Sequence, residues 1–300
     1  MLPASVFSEV TRASIDTDAI TTLCKAAGDP LRMQILRVLQ ENSYGVLELC
    51  EVFDTKQSAM SHHLKILANA SLVATRREGT SIFYRRNELN SDVDLQALQT
   101  SLFETIDNAA LDLNYINRLT SINTARSEAS VSFFNRNADR FESNQDLIAG
   151  WVDYGESIKT FMPRNQSISN NALEIGPGYG QFLSTLSKQF NNVTALDSSI
   201  EMLEQCKKHA ANDNLNNIDF ILGDTRKALL DEKRYDFISI NMVLHHNSTP
   251  PDIISDCAKL LKENGILMVT ELCEHDQEWV KDSCGDIWLG FLPESLTRWA

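Results

Sequence analysis

The sequence lacks the features that would mark it as a membrane, exported or disulfide-linked protein. No stretch approaches the roughly 20 apolar residues that span a bilayer, and residues 1–18 lack the basic and then apolar pattern of a signal peptide. The six cysteines are scattered singly, without a C-x-x-C pair, which argues against a disulfide framework and a zinc ribbon. No fixed-period repeat occurs. The sequence therefore predicts a cytoplasmic protein whose whole length folds.

The chain has 300 residues, enough for two domains, and its charge is unevenly divided between them. Residues 1–90 hold 10 Lys/Arg and 10 Asp/Glu of the totals of 27 and 41, so 17 and 31 remain for residues 91–300, which carry the entire net charge of −14. Between positions 56 and 86, six Lys/Arg face one acidic residue, Glu78. A local positive excess of this kind is typical of phosphate-binding surfaces.

The first region reads as a helix-turn-helix followed by a hairpin. Asp29-Pro30 is a strong helix start, and apolar residues recur every four positions after it. A short apolar helix over residues 46–53 and a polar turn at 54–55 lead into a second helix, Lys56 to Ala70. Two strands, Val73 to Arg77 and Ile82 to Arg86, are separated by the turn residues 78–81 and form a predicted basic wing.

The run from Ala27 to Leu39, the segment KQSAMSHHLKIL and the Arg-rich hairpin together resemble the ArsR/SmtB winged-helix repressors, over roughly positions 16–90. The resemblance implies double-stranded operator DNA as a partner and a homodimer. The residues expected to contact DNA are polar or basic positions of the second helix and the wing: Lys56, Gln57, Ser58, Ser61, His62, Lys65, Arg76, Arg77 and Arg85.

The metal sites of that family are not expected here. Where its metal sensors carry a C-x-C pair, this chain has Cys50 alone, and the helix after the wing contains no histidine. His245-His246 has no carboxylate or cysteine at metal-ligand spacing, and adjacent residues project differently. We therefore expect no bound metal.

A long connecting helix is predicted after the wing. Apolar residues recur at steps of three and four from Leu95 to Leu119, which favours a single helix of about 25 residues. It forms either an extended dimer interface, as the resemblance implies, or a packing surface for the second domain. The polar stretch Thr120 to Ser130 is the expected linker. The predicted limits are thus 1–92 for the winged helix, 93–130 for the connecting helix with its linker, and 131–300 for the second domain.

The second domain has the pattern of an α/β fold with a parallel sheet. Strands at 172–175, 193–196, 219–222 and 237–240 each end in polar or glycine residues, and the first runs into the turn Gly176-x-Gly178-x-Gly180. Because the carboxyl ends of parallel strands share one edge, a single crevice should collect these residues. Glu174, Asp197, Asp224 and Asn241 are the polar side chains at this edge.

These signals together resemble the class I S-adenosylmethionine-dependent methyltransferases, a Rossmann-like fold. The resemblance implies S-adenosylmethionine or S-adenosylhomocysteine as ligand. It places Glu174 near the methionine amino group, Asp197 on the ribose and Asp224 at the adenine amine. The full expected binding set is Glu174, Gly176, Gly178, Gly180, Asp197, Ser198, Met202, Asp224, Thr225 and Asn241. Residues 241–245 would border the methyl-transfer site, with His245 as the catalytic candidate.

Two further features of this region bear on function. The segment from Phe133 to Phe141 looks like the aromatic lid of many small-molecule methyltransferases, although ordinary packing explains it equally well. After the strand at 266–271, the sequence shows no clear sixth and seventh strands, so it either stops before the usual closing hairpin or does without it.

Two functional classes fit this architecture. One is a transcriptional regulator that binds the nucleoside as an effector, as in the ArsR-type regulators that respond to S-adenosylhomocysteine. The other is a small-molecule methyltransferase with an autoregulatory DNA-binding domain. Methyl transfer from a sulfonium needs mainly positioning of the acceptor, so no obligatory catalytic residue decides between them. The lack of an acid/base constellation and of the family's metal sites favours the regulator.

Overall fold

The computed structural model describes residues 17–78, 81–87, 93–162 and 170–300. The chain divides into two compact units, unit 1 (Met1–Arg118) and unit 2 (Leu119–Ala300). Within the described ranges no helix is both long enough and apolar enough to cross a membrane.

Unit 1 is a winged helix-turn-helix. Its helices are α1 (Thr17–Ala27), α2 (Pro30–Val38), α3 (Val46–Phe53), α4 (Gln57–Asn69) and α5 (Val93–Asp107), and its strands are β1 (Tyr44–Gly45), β2 (Val73–Glu78) and β3 (Ser81–Arg86). The strands form an antiparallel sheet in the order β1-β3-β2. The predicted hairpin is confirmed, although its turn residues Gly79 and Thr80 lie outside the described residues.

Local chemistry explains where the helices of unit 1 begin and end. The Asp29 carboxylate accepts a hydrogen bond from the Arg32 N–H at 3.0 Å, and Pro30 occupies the first turn, as the sequence indicates. Helix α3 starts where Glu48 accepts from the Gly45 N–H at 2.7 Å and ends at Asp54, whose left-handed backbone (φ 52°) turns the chain into α4.

The prediction of one continuous helix from Leu95 to Leu119 is wrong. Helix α5 ends at Asp107, and α6 (Leu113–Ala149) begins after five intervening residues. Asn108 donates its side-chain amide to the Glu104 carbonyl, and Asp112 accepts from the Asn114 N–H. Both side chains thus satisfy groups at a helix end, which is where Asn and Asp are preferred.

The predicted linker at Thr120 to Ser130 is also wrong, because α6 runs through it. The segment is polar, yet residues 113–149 contain no glycine or proline that would break a helix. Ile122 within it is buried. The domain limits at 92 and 130 remain predictions.

One arginine of the wing is structural. Arg86 is buried, pairs with Asp107 through Nη1 to Oδ2 at 3.0 Å and donates from Nε to the Leu36 carbonyl at 2.7 Å. Its guanidinium also lies 4.5 Å from the Phe103 ring centroid. Arg86 therefore does not contribute to the exposed positive charge expected between positions 56 and 86.

Unit 2 is a Rossmann-like α/β domain. Its strands are β4 (Asn171–Ile175), β5 (Asn192–Asp197), β6 (Ile218–Leu222), β7 (Tyr235–Asn241) and β8 (Leu261–Thr270). Besides the greater part of α6, its helices are α7 (Trp151–Phe161), α8 (Leu183–Gln189), α9 (Ile200–Asn212), α10 (Thr225–Leu229), α11 (Pro250–Leu260), α12 (Val280–Cys284) and α13 (Pro293–Trp299), with a short 3-10 turn at Leu244–His246.

The five strands are all parallel, in the order β6-β5-β4-β7-β8, which confirms the predicted sheet. Buried residues cover both of its faces. One cluster joins Leu173, Leu196 and Ile238 to α11, and the other joins Ala172 and Val193 to α8. After β8 the described chain adds only an isolated bridge between Cys273 and Phe291 and no antiparallel strand. The strand order reverses between β4 and β7, the position where open α/β sheets bind ligands.

Candidate functional site

Helix α4 has one apolar face and one polar face, as predicted. The apolar face is buried within unit 1 and consists of Met60, Leu64 and Leu67. The six expected DNA-contacting positions of this segment, Lys56, Gln57, Ser58, Ser61, His62 and Lys65, are all exposed. His63 is half-buried, with its Nδ1 at 3.8 Å from an Asp29 oxygen, so the two adjacent histidines lie in different environments.

The wing places its basic side chains unequally. Arg77 is exposed, whereas Arg76 and Arg85 are half-buried. Strands β2 and β3 pair residue by residue from Val73 with Arg86 to Arg77 with Ile82. The helix and wing of unit 1 thus offer seven exposed polar or basic side chains among the nine expected to contact DNA.

A cleft of about 900 Å³, open to solvent, lies at the carboxyl ends of β4 to β7 in unit 2. Seven of the ten residues expected to bind the nucleoside line it: Gly176, Gly178, Asp197, Ser198, Met202, Asp224 and Thr225. The shared strand edge predicted from the sequence therefore lines this cleft, although Glu174, Gly180 and Asn241 do not.

Asp197 is the last residue of β5 and lines the cleft at this edge. Its Oδ1 accepts from the Ser199 N–H at 2.8 Å. Burial raises the pKa of this carboxyl to about 6, although the backbone N–H groups of Ser199 and Ser198 oppose the shift. A carboxylate oriented by its own backbone in this way can accept two further donors from a ligand.

The three glycines of the turn have different environments. All have positive φ, at 62°, 55° and 89° for Gly176, Gly178 and Gly180. A Cβ on Gly176 would approach Val243 to 2.5 Å, whereas one on Gly178 would meet nothing within 4 Å. Gly178 therefore leaves open space at the cleft. Gly180 lines neither cavity, and a Cβ at this position would lie 3.0 Å from Cys206 Sγ on α9, so close packing on α9 favours glycine here.

Glu174 and Asn241 line a second cavity of about 530 Å³. It shares four lining residues with the cleft: Phe141, Gly176, Gly178 and Met242. Asn241 Nδ2 donates to Glu174 Oε1 at 3.4 Å. Within the described residues, Glu174 Oε2 and Asn241 Oδ1 are buried acceptors without a donor. Burial raises the pKa of Glu174 to about 8, against the hydrogen bond from Asn241. The pair is suited to a cationic, hydrogen-bonding group.

Asp224 and Thr225 are partly committed to the protein. Asp224 caps α10, accepting from the Lys227 N–H at 3.1 Å, and its other oxygen meets Arg226 Nε at 3.1 Å. Thr225 donates its hydroxyl to the buried Asp256 at 2.7 Å. Both line the cleft, but their capping and hydrogen-bonding roles would persist without a ligand.

His245, the catalytic candidate, does not line the cleft, and this expectation needs correction. It is 2% exposed, and its Nδ1 lies 2.5 Å from Glu271 Oε1. Burial lowers its pKa, but Glu271 and Asp286 outweigh burial and raise it above the usual value. His246 lines the cleft instead, because neighbours on a 3-10 turn point to different sides.

Several residues outside the expected nucleoside-binding set also line the cleft. The ring of Phe134 lies at 4.9 Å, centroid to centroid, from His246, and Phe141 lies at 5.9 Å from it. These two aromatics come from the predicted lid segment, which is helical here. Asp252 and Asp256 also line the cleft. Their spacing of four on α11 puts both on one helix face, a signal that the sequence contained.

Family models match both halves of the chain. Residues 29–75 match the model described as bacterial regulatory protein, arsR family, and residues 173–269 match the model described as methyltransferase domain. An uncharacterized HTH-type transcriptional regulator of Methanocaldococcus jannaschii is 46% identical over 63 residues, which are 20% of this chain and 68% of that protein.

The second half resembles enzymes more distantly. A ubiquinone biosynthesis O-methyltransferase of Coxiella burnetii is 27% identical over 143 residues, which cover 43% of this chain and 61% of the enzyme. The chain thus spans less than two thirds of that relative's length. A solved structure described as a DhpI-SAM-HEP complex is 17% identical, with a TM-score of 0.42, over 57% of this chain and 85% of its own.

Proposed function

Because the chain belongs to the arsR family of bacterial regulatory proteins and carries a methyltransferase domain after its helix-turn-helix, we propose that it is a DNA-binding transcriptional regulator whose second domain binds S-adenosylmethionine or S-adenosylhomocysteine as an effector.

The observation that carries the effector proposal is the pair of adjoining cavities. A ribose seated on Asp197 places the nucleoside in the cleft, and an amino-acid tail that passes Gly176 and Gly178 reaches Glu174 and Asn241 in the second cavity. A ribose diol supplies two donors, and an ammonium group supplies both charge and donors to the unpaired acceptors. S-adenosylhomocysteine and S-adenosylmethionine carry both groups.

Calorimetric titration of the full chain tests this proposal. We expect one molecule of S-adenosylhomocysteine or S-adenosylmethionine per chain and no comparable binding of a nicotinamide dinucleotide, which a Rossmann-like fold could otherwise accept. Failure of both sulfur nucleosides to bind would overturn the effector proposal.

For DNA binding, we propose that α4 enters the major groove of operator DNA and that the wing contacts phosphates. The exposed Ser61 and His62 suit base edges, and Arg77 suits the phosphate backbone.

Three apolar side chains of α5 and the start of α6 are exposed in unit 1: Leu98 by 37%, Leu113 by 74% and Ile116 by 41%. We propose that they contribute to a homodimer, which would bind two half-sites about one helical turn apart. A monomer at micromolar concentration would contradict this arrangement.

Substitutions in the two elements should affect DNA binding differently. Arg77→Ala should weaken binding to all sequences alike and reduce the slope of log affinity against log salt by about 1, since one phosphate contact is lost. Ser61→Ala or His62→Ala should relax the base preference at one operator position, by about 1 to 3 kcal/mol of discrimination. Fluorescence anisotropy across a salt series, with operator variants, measures both effects.

The matched control is Lys159→Ala, which removes a cation from α7 of unit 2, where Lys159 pairs with Glu156. It should leave operator affinity and the salt slope unchanged. Equal losses for Lys159→Ala and Arg77→Ala would show that total charge, not the wing, determines binding.

Effector and operator should influence each other's binding. Helix α6 contributes Ser130, Phe134 and Phe141 to the cleft and is continuous back to Leu113, so it gives a covalent route from the nucleoside to the DNA-binding domain. We expect S-adenosylhomocysteine to change operator affinity at least about fivefold, a coupling of about 1 kcal/mol, and operator DNA to change nucleoside affinity by the same factor. This coupling is measured by titrating the protein with each ligand in the presence and in the absence of the other.

The alternative function is a small-molecule methyltransferase with an autoregulatory DNA-binding domain. The open cleft and the presence of His246 beside Phe134 in its wall would suit an aromatic acceptor. Independent binding of the two ligands, together with turnover of a methyl acceptor, would replace the regulator proposal with this one.

A further inference from the structure

The structure brings two carboxylates to the His245-His246 turn from distant parts of the chain. His246 Nδ1 lies 3.6 Å from Asp286 Oδ1, and His245 Nε2 lies 3.9 Å from the same oxygen. On the other side of His245, Nδ1 lies 2.5 Å from Glu271 Oε1. The sequence expectation of no metal rested on the lack of a nearby carboxylate, and the fold supplies two.

Asp286 is the unusual member of this group. Its side chain is 1% exposed, and neither carboxylate oxygen has a hydrogen-bond partner within the described residues. A buried carboxylate without partners is strongly unfavourable, and buried polar groups in native proteins nearly always find a donor, a water or an ion. Both oxygens of Asp286 are therefore free to accept an ion or a donor, and the two histidine rings are their nearest polar neighbours recorded among the described residues.

We propose that His245 Nε2, His246 Nδ1 and Asp286 bind a divalent first-row transition-metal ion such as Zn²⁺. The three ligand atoms lie within 4.8 Å of one another. A tetrahedral ion with metal–ligand bonds of about 2.1 Å needs its ligand atoms about 3.4 Å apart. The two distances to Asp286, 3.6 and 3.9 Å, are already within about 0.5 Å of this value, and the widest separation, at most 4.8 Å, closes by at most about 1.4 Å through rotation of the histidine rings. Two imidazole nitrogens with one carboxylate oxygen suit Zn²⁺ and its neighbours better than Mg²⁺ or Ca²⁺.

Glu271 supports the assignment. A metal-binding histidine usually donates its second ring N–H to a carboxylate, which fixes the tautomer and aims the other nitrogen at the metal. The Glu271 oxygen at His245 Nδ1 does this and leaves the Nε2 lone pair on the side of Asp286. The competing contact of His246 Nδ1, to the Gly285 carbonyl, is long at 3.3 Å.

The backbone already holds the ligands in place. The N–H groups of Ile287 and Trp288 both donate to the His245 carbonyl, at 2.9 and 3.0 Å, and Trp288 Nε1 donates to the Asn247 carbonyl at 2.7 Å. Asp286 is therefore fixed beside the histidine turn by bonds that do not involve its side chain. Because His246 also lines the cleft, the ion would lie one side chain away from the ligand-binding cleft.

Competition between the metal-free full chain and a chromophoric zinc indicator tests the proposal. We expect one zinc ion per chain, loss of binding by more than about 100-fold in Asp286→Asn, and about 10- to 100-fold weaker binding in Glu271→Gln, as expected when the orienting carboxylate is removed. Substitution with Co²⁺ should give visible d–d bands without a thiolate charge-transfer band, because no cysteine is a ligand.

Asp213→Asn is the matched control, since His209 Nε2 and Asp213 Oδ2 form a partly exposed pair on α9 and its C-cap at 3.5 Å. It should leave the zinc stoichiometry unchanged.

Thermal melting shows whether Asp286→Asn folds. Without metal the variant should melt no lower than the wild type, because a buried carboxylate without hydrogen-bond donors is removed. Zinc should raise the melting temperature of the wild type alone. Equal zinc affinity in the wild type and Asp286→Asn would overturn the proposal, as would a cobalt–thiolate spectrum. A lower melting temperature of metal-free Asp286→Asn, without zinc binding by the wild type, would instead identify a purely structural histidine–carboxylate network.

Discussion

Asp197→Ala is expected to weaken S-adenosylhomocysteine binding by roughly 30- to 150-fold, or about 2 to 3 kcal/mol, in a chain that remains folded. The reason is that substitution removes the half-buried carboxylate, oriented by the Ser199 N–H, and with it two charge-assisted hydrogen bonds from the ribose. The effect of the nucleoside on operator affinity should disappear with it. Calorimetric titration of the wild type and of Asp197→Ala measures the loss of affinity. Unchanged affinity in a folded variant would exclude the proposed ribose site.

The pH dependence of binding gives an independent check on the same carboxyl. Because the pKa of Asp197 in the empty cleft is raised to about 6, the ligand-accepting ionised form is lost as the pH falls through that value. The affinity of the wild type for 5′-methylthioadenosine, which has no amino-acid tail and so does not report on Glu174, should therefore drop about tenfold from pH 7 to pH 5, whereas the affinity of Asp197→Ala for it should be insensitive to pH over this range. Asp219→Ala, which removes a mostly exposed carboxylate from β6, should behave like the wild type.

Glu174→Gln should stabilise the ligand-free protein at pH 8 by on the order of 3 to 5 kcal/mol, which corresponds to about 6 °C or more in the melting temperature. Burial raises the pKa of Glu174 from 4.5 to about 8, so the folded chain holds a proton that the unfolded chain releases. Stability is therefore lost as the pH rises from about 4.5 to 8. Glu174→Gln has no carboxyl to titrate and does not lose this stability. Its advantage over the wild type in free energy of unfolding should therefore shrink toward pH 5. Glu263→Gln, at an exposed position, should show no such trend.

The same variant should lose affinity only for ligands with an amino-acid tail. S-adenosylhomocysteine should bind Glu174→Gln more weakly than the wild type, whereas 5′-methylthioadenosine, which lacks the ammonium group, should bind both equally. At pH 7 the binding of S-adenosylhomocysteine to the wild type should release close to one proton from Glu174, since the ammonium group of the ligand favours the ionised carboxylate. Equal weakening for both nucleosides would place Glu174 outside the tail site.

Local sequence patterns were sufficient for most of the elements. The Asp29-Pro30 start and the apolar stripe of α4 are set by chain-local chemistry, and the structure confirms both. The strand ends that carry Asp197 and Asn241 share an edge because parallel strands always do. The break between α5 and α6 was missed, because an apolar repeat that continues across Asn108 and Asp112 outweighed two residues that favour helix ends.

The amino-acid sequence by itself determined the family, the two folds and the edge at which seven expected residues meet, since each follows from short-range periodicity, capping and strand polarity. Only the tertiary structure decided which histidine faces the cleft and which carboxylates surround the other. Glu271 and Asp286 are 26 and 41 positions from His245, and no local pattern links such separations. Their burial beside the histidine turn depends on how β8 and the segment after α12 pack, and packing of that kind is decided by the whole domain.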